Sequence, residues 1–178
     1  MDHDGFKLDD AVAILERTPA SLSALLMGLS EEWVRATTGD GTWSPYDVIG
    51  HLIDGERTNW IPRARHILAG ETQPFEPFDR MAHLTERQDH RIDELLATFA
   101  ELRRANVAAL RGMNLTNVDL RRTGQHPEFG QVTLRQLLAT WVVHDLNHIG
   151  QIVETLAKVY TTAVGPWSAY LLILQDRD

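Results

Sequence analysis

The chain has 178 residues, 43% hydrophobic and 24% charged, which fits one globular core and excludes disordered, collagen-like and low-complexity classes. Its 17 Lys and Arg against 25 Asp and Glu leave a net charge of -8, whose field opposes a phosphate backbone, so nucleic acid is not an expected partner. The absence of cysteine excludes disulfides, thiolate metal ligands, Fe–S clusters and a protein thiol nucleophile.

No apolar run reaches the roughly 18 residues of a membrane span, and Met1-Asp2-His3-Asp4 lacks the basic and apolar regions of a signal peptide. The expectation is a cytoplasmic protein with no membrane partner, residues 1–178 forming one domain.

From Leu8 to Leu29 apolar residues recur at helical spacing, interrupted at Thr18-Pro19; a capping Thr and a Pro in the first turn predict two short helices meeting near residue 18. Thr37 to Thr42 is a loop by composition. Ser44-Pro45-Tyr46-Asp47 is a strong helix start, with a side-chain acceptor, a proline lacking an amide, and an acid at the positive helix end. That helix is expected to run to about residue 69 with a bend at Pro62. Gly70 through Phe78 reads as a connection.

The stripe Met81, Leu84, Gln88, Ile92, Leu95, Leu96, Phe99, Leu102 and Leu110 predicts one long amphipathic helix ending near Gly112. Residues 114 to 130 show no sustained period and read as a crossing segment. Thr133 caps a last helix whose stripe is Leu134, Leu137, Leu138, Trp141, His144, His148, Ile152 and Leu156, broken at Val164-Gly165-Pro166. The apolar tail from Trp167 to Leu174 is expected to pack onto the bundle or a second subunit. No strand is expected, and the class is all-α: a four-helix bundle with a long connection between its third and fourth helices.

His144 and His148, four apart, share one helix face, and that face is the apolar stripe, so both rings are buried and need partners. His51 lies on or beside the inner face of the helix begun at Ser44. Three buried imidazoles on facing helices make a His3 set, which suits Zn, Ni, Fe or Cu and leaves positions open for water or substrate. His144-Asp145-Leu146-Asn147-His148 is similar in outline to the H-E-x-x-H of zinc proteases, but Asp145 is one methylene shorter than Glu and no further signature follows, so a peptidase is not expected.

Trp43-Ser44-Pro45-Tyr46-Asp47-Val48-Ile49-Gly50-His51-Leu52, followed far downstream by His144-Asp145-Leu146-Asn147-His148-Ile149-Gly150-Gln151-Ile152, resembles the DinB/YfiT-like superfamily of DNA-damage-inducible bundle proteins. The resemblance spans nearly the whole chain, with these two segments as its specific part. It implies a four-helix bundle with a long connection, a homodimer, and a divalent metal on one His of the second bundle helix and an H-x-x-x-H pair of the last, matched here by His51, His144 and His148. Relatives include metal-dependent transferases that use a low-molecular-weight thiol, mycothiol-dependent maleylpyruvate isomerases, and metal-dependent hydrolases.

The expected function is transfer of a small thiol to an electrophilic small molecule in detoxification or stress response. The alternatives are hydrolysis by water ionised on the metal, or a non-catalytic stress-related binding module with a structural metal. The cofactors are a divalent metal, with Zn, Ni and Fe not distinguished, and a thiol.

Among surrounding residues, Gln151 shares the face of the two histidines and either hydrogen-bonds a ligand, orients an imidazole, or is a polar residue at the wet end of the stripe. Asp47, one turn before His51, serves the helix start in preference to orienting His51. Gln88 and Asn106 interrupt an apolar stripe and are candidates for a polar pocket. Gly55 is read as permitting close packing. His3, His66, His83, His90 and His126 receive no role, the tryptophans are read as core, and Arg103-Arg104 and Arg121-Arg122 as surface pairs, with recognition of an anionic thiol as the minor alternative.

Overall fold

A computed structural model describes residues 5–86 and 90–175. In chain order its helices are α1 (Leu8–Leu26), α2 (Glu31–Val34), α3 (Pro45–Thr58), α4 (Trp60–Ala69), α5 (His83–Glu86), α6 (Ile92–Gly112) and α7 (Leu134–Lys158). The four-helix bundle consists of α1, the α3–α4 pair, α6 and α7.

Two helix starts follow from the sequence as expected. At α3 the Ser44 hydroxyl accepts from the Asp47 amide at 3.2 Å while the Asp47 carboxylate accepts from the Ser44 amide at 2.9 Å, so Asp47 is spent on capping rather than on His51. At α7 Thr133 and Gln136 form the same reciprocal pair.

Elsewhere the expectations need correction. Thr18-Pro19 does not divide α1. Pro19 has no amide to donate to the carbonyl of Leu15, but that carbonyl accepts instead from Arg103 Nη1 at 2.9 Å, so the helix continues through the proline. The expected helix from 45 to 69 separates at Asn59, one turn before the bend expected at Pro62, because Pro62 cannot donate to Thr58. The expected helix from 81 to 112 begins at Ile92; Met81 is exposed, Leu84 lies in the single turn α5, and Gln88 falls outside the described residues.

A short antiparallel hairpin, β1 (Thr123–His126) and β2 (Gly130–Thr133), stands where no strand was expected. Four-residue strands without alternation leave no sequence period to detect. A Cβ on Gly124 would lie 2.7 Å from the Phe75 ring and 2.8 Å from Ile67, so only glycine lets β1 cross that close to the bundle. The Phe75 amide then donates to the Gln125 carbonyl at 2.8 Å, tying residues 71–82 to the hairpin. In the tail, Leu172–Leu174 contacts α7, but Trp167 and Tyr170 stay exposed rather than packing down on the chain.

The core has two apolar clusters. One gathers Leu15, Trp60, Ile67, Leu110 and Trp141; the other gathers Leu22, Ile49, Leu96, Phe99 and Ile152. Between them along the helices lies a polar layer centred on Arg103, which is 1% exposed and not the surface residue its pairing with Arg104 suggests. Its Nη1 donates to Asp145 Oδ2 at 2.5 Å and its Nη2 to Asp145 Oδ1 at 3.0 Å and Glu56 Oε1 at 2.8 Å. Glu56 also accepts from Trp141 Nε1 at 3.0 Å and from Asn106 Nδ2 at 3.0 Å, which places Asn106 in this network rather than in a pocket. Burial opposes the charge on Arg103, but Asp145 and Glu56 outweigh it and hold its pKa above the ordinary value.

Replacing Arg103 by Met should therefore strand two buried carboxylates and cost about 3–5 kcal/mol of folding stability, whereas Arg104→Ala, at an exposed position, should change it by less than about 0.5 kcal/mol. Urea denaturation of both variants checks this, and equal small losses would show that the network contributes little.

Candidate metal centre

α3 and α7 bring together the three histidines singled out by spacing. His51 Nε2 lies 3.1 Å from His144 Nε2, which lies 3.2 Å from His148 Nε2. His51 and His148 are buried and His144 is half-buried. Ring nitrogens of all three fall within 4.8 Å of one another, and among the described residues no carboxylate joins the group.

These distances suit a shared cation better than hydrogen bonds. A neutral imidazole nitrogen carries either one proton or one lone pair, so His144 Nε2 cannot make good bonds to both neighbours. Two nitrogens bound to one ion at 2.0–2.1 Å in tetrahedral geometry stand about 3.3 Å apart, close to what the rings already show. The donor set thus fits a divalent first-row ion with part of its coordination open.

Gln151 orients one of the rings. Its Oε1 accepts from His148 Nδ1 at 2.9 Å, which fixes the proton on Nδ1 and leaves the Nε2 lone pair directed at the cluster. Of Gln151, Asp47 and Asn106, the candidates among the described residues, Gln151 is the one brought to the site.

Burial keeps the cluster uncharged. It pushes His51 from 6.5 down to about 3, reinforced by repulsion from His148 and His83. His144 is likewise pushed down to about 3, by burial and then by His148 and His51. His148 is lowered by burial against the opposing influence of Gln151 and Asp145. Neutral imidazoles are the form that binds a metal, so the site need shed no protons near neutral pH.

The walls are aromatic. Trp43 lies 4.7 Å from His51 and nearly parallel to His148 at 6.2 Å, Trp60 packs 5.1 Å from His144, and Phe78 packs 5.4 Å from His51, all between ring centroids. Trp43 and Trp60 are therefore site walls as well as packing residues. His83, given no role from the sequence, is buried 5.7 Å from His51 and 4.7 Å from Trp43. The signal available for it was Gly50: a Cβ there would lie 3.0 Å from His83 Cβ, so the glycine beside His51 admits this neighbour. At Gly55 a Cβ would meet Trp60 Nε1 at 3.2 Å, the close-packing role expected of it. Asp145, placed like the acid of a zinc protease motif, has both oxygens engaged by Arg103 and is no base for this site.

Comparison with known proteins agrees with this arrangement. The chain is 29% identical over 155 residues to a Bacillus licheniformis protein named "putative metal-dependent hydrolase", covering 85% of this chain and 86% of that one. It is 25% identical over 140 residues to an Oceanobacillus iheyensis protein named in the same words, covering 78% and 79%. In structure it is similar to YfiT from Bacillus subtilis, described as "a probable metal-dependent hydrolase with an unusual four-helix bundle topology", with TM-score 0.75, 26% identity and coverage of 89% of this chain and 93% of that one. The four-helix bundle protein TT2238 shares the fold, with TM-score 0.51, 24% identity and coverage of 80% and 94%. No helix among the described residues is long and apolar enough to cross a membrane. Residues 14–152 match the family model for the DinB superfamily, and the chain belongs to that superfamily.

Proposed function

We propose that the chain is a metal-dependent enzyme in which His51, His144 and His148 hold a divalent ion and a low-molecular-weight thiol is transferred to an electrophilic small molecule. The observation that carries this reading is the convergence of three neutral Nε2 atoms that, among the described residues, no carboxylate joins. The chain has no cysteine, and Asp145 is held by Arg103. When bound, a divalent ion supplies a Lewis acid that ionises a thiol or water at neutral pH.

The protein's own residues supply the rest. The three imidazoles would hold the ion, and Gln151 holds the proton of His148 on Nδ1. Trp43, Trp60 and Phe78 exclude water on their sides of the cluster and present ring surfaces, which suit a polarisable sulfur. A second reading, hydrolysis with water as the nucleophile, is favoured by the naming of the Bacillus and Oceanobacillus relatives. Thiol dependence separates the two.

Reconstituted untagged protein should carry about one metal equivalent per chain, lost in His51→Ala and His144→Ala, by elemental mass spectrometry. Gln151→Leu should keep the site but weaken metal affinity roughly 10- to 100-fold. Full metal content in His51→Ala would sink the assignment. With metal bound, conjugation of electrophiles should require glutathione, bacillithiol or mycothiol; turnover without any thiol, at a rate rising with pH, selects hydrolysis instead.

The metal-free chain should also lose stability in acid. Below pH 6.5 the unfolded histidines take up protons that folded His51 and His144 refuse until about pH 3, so the unfolded state binds more protons across this window. Stability therefore falls as pH drops from 6.5 towards 3, and denaturant midpoints of wild type should fall more steeply there than those of a His51→Leu, His144→Leu double variant.

A further inference from the structure

Residues 71–82 are fastened at both ends beside the three histidines. Phe75 is 3% exposed, bonded through its amide to Gln125 and covered by the Arg63 guanidinium 5.1 Å from its ring, while Arg63 Nη2 donates to the Glu76 carbonyl at 3.1 Å. At the other end His83 is buried against Trp43 and His51. Between these anchors Phe78 turns its ring onto His51.

Arg80 is thus bracketed by two residues, Phe78 and His83, that both pack on the same metal-site imidazole. It is exposed and forms no ion pair with any described residue, and the adjacent Asp79 carboxylate accepts from the Met81 amide at 2.9 Å. Its backbone lies against His51, where it favours the protonated ring more than the Arg80 charge disfavours it, and at His144 that charge disfavours the protonated ring. In a chain of net charge -8, an anionic ligand is repelled at long range, and a guanidinium that pairs with no described acid, on the segment packed against His51, is a local exception.

We infer that Arg80 is a specificity-determining residue, binding a carboxylate of the small molecule that approaches the three histidines. The guanidinium fork matches a carboxylate in two-point contact, which lysine does not reproduce. The inference rests on the reading of the histidine cluster as a ligand-binding centre, and it deepens that reading by naming an anionic ligand class. The carboxylate can belong to the thiol or to its electrophilic partner.

Two probe pairs that differ only in charge test it: N-acetylcysteine against N-acetylcysteamine, and hexanoate against hexanamide. Dissociation constants are read by NMR titration of wild type, Arg80→Gln and Arg80→Lys, each with and without metal, after elemental analysis of every sample. The expected result is a preference of roughly tenfold for the charged member of each pair in wild type, reduced in Arg80→Lys and lost in Arg80→Gln, with metal content unchanged. Persistence of the preference in metal-free wild type supports the arginine as its source. Preference retained in Arg80→Gln, or absent from wild type, overturns the inference. If the thiol pair binds no better than the pair without sulfur while both depend on Arg80, the thiol reading fails and the carboxylate subsite stands.

Discussion

One guanidinium ties α1, α3, α6 and α7 together. Arg103, rooted on α6, donates to the backbone of α1 at Leu15, to Glu56 on α3 and to Asp145 on α7. Pairing a cation with two acids out of water gains little net stability over an apolar core, because desolvation offsets most of the attraction. Its effect is on alternatives. Sliding any one helix by a turn would leave a buried charge or the Leu15 carbonyl without a partner, so competing registers are penalised far more than the native one is favoured. The two apolar clusters on either side, being non-directional, could tolerate such slips; the polar layer between them cannot.

That constraint reaches the histidines through chain adjacency. Asp145 follows His144 and precedes His148 by three residues, so an α7 turned to present Asp145 to Arg103 presents both imidazoles on the neighbouring face, about 100° away per residue. Glu56, five residues after His51, does the same for α3. Trp141 joins the two systems physically, donating to Glu56 with its indole and stacking on Trp60, which packs against His144. The three nitrogens meet at 3.1 and 3.2 Å because the same layer that sets helix register sets their rotation.

What the sequence revealed follows from which signals are local. Capping at Ser44 and Thr133 involves residues three apart, and the His144/His148 stripe repeats along one helix, so both could be read from spacing. Arg103 could not: beside Arg104 in an acidic chain it resembles a surface pair, and its acids lie 47 and 42 residues away. Pro19 misled for the same reason, since the donor replacing its missing amide comes from another helix. His83 was hidden because its burial depends on a connection folding back over α3, and a hairpin of four-residue strands carries no period long enough to register.

The distribution of charge around the site also bears on its chemistry. The chain is rich in acids, yet three of those near the histidines in sequence are committed: Asp47 to a helix start, Asp145 and Glu56 to Arg103. Had Asp145 faced the cluster, it could have acted as a base, or as a fourth ligand closing the open coordination that chemistry requires. By turning it inward to a guanidinium, the fold leaves a cluster of neutral donors, on which a bound ion would retain its full positive charge. A dication left uncompensated in this way would stabilise an anion bound to it, thiolate or hydroxide alike, more strongly than one already neutralised by carboxylates.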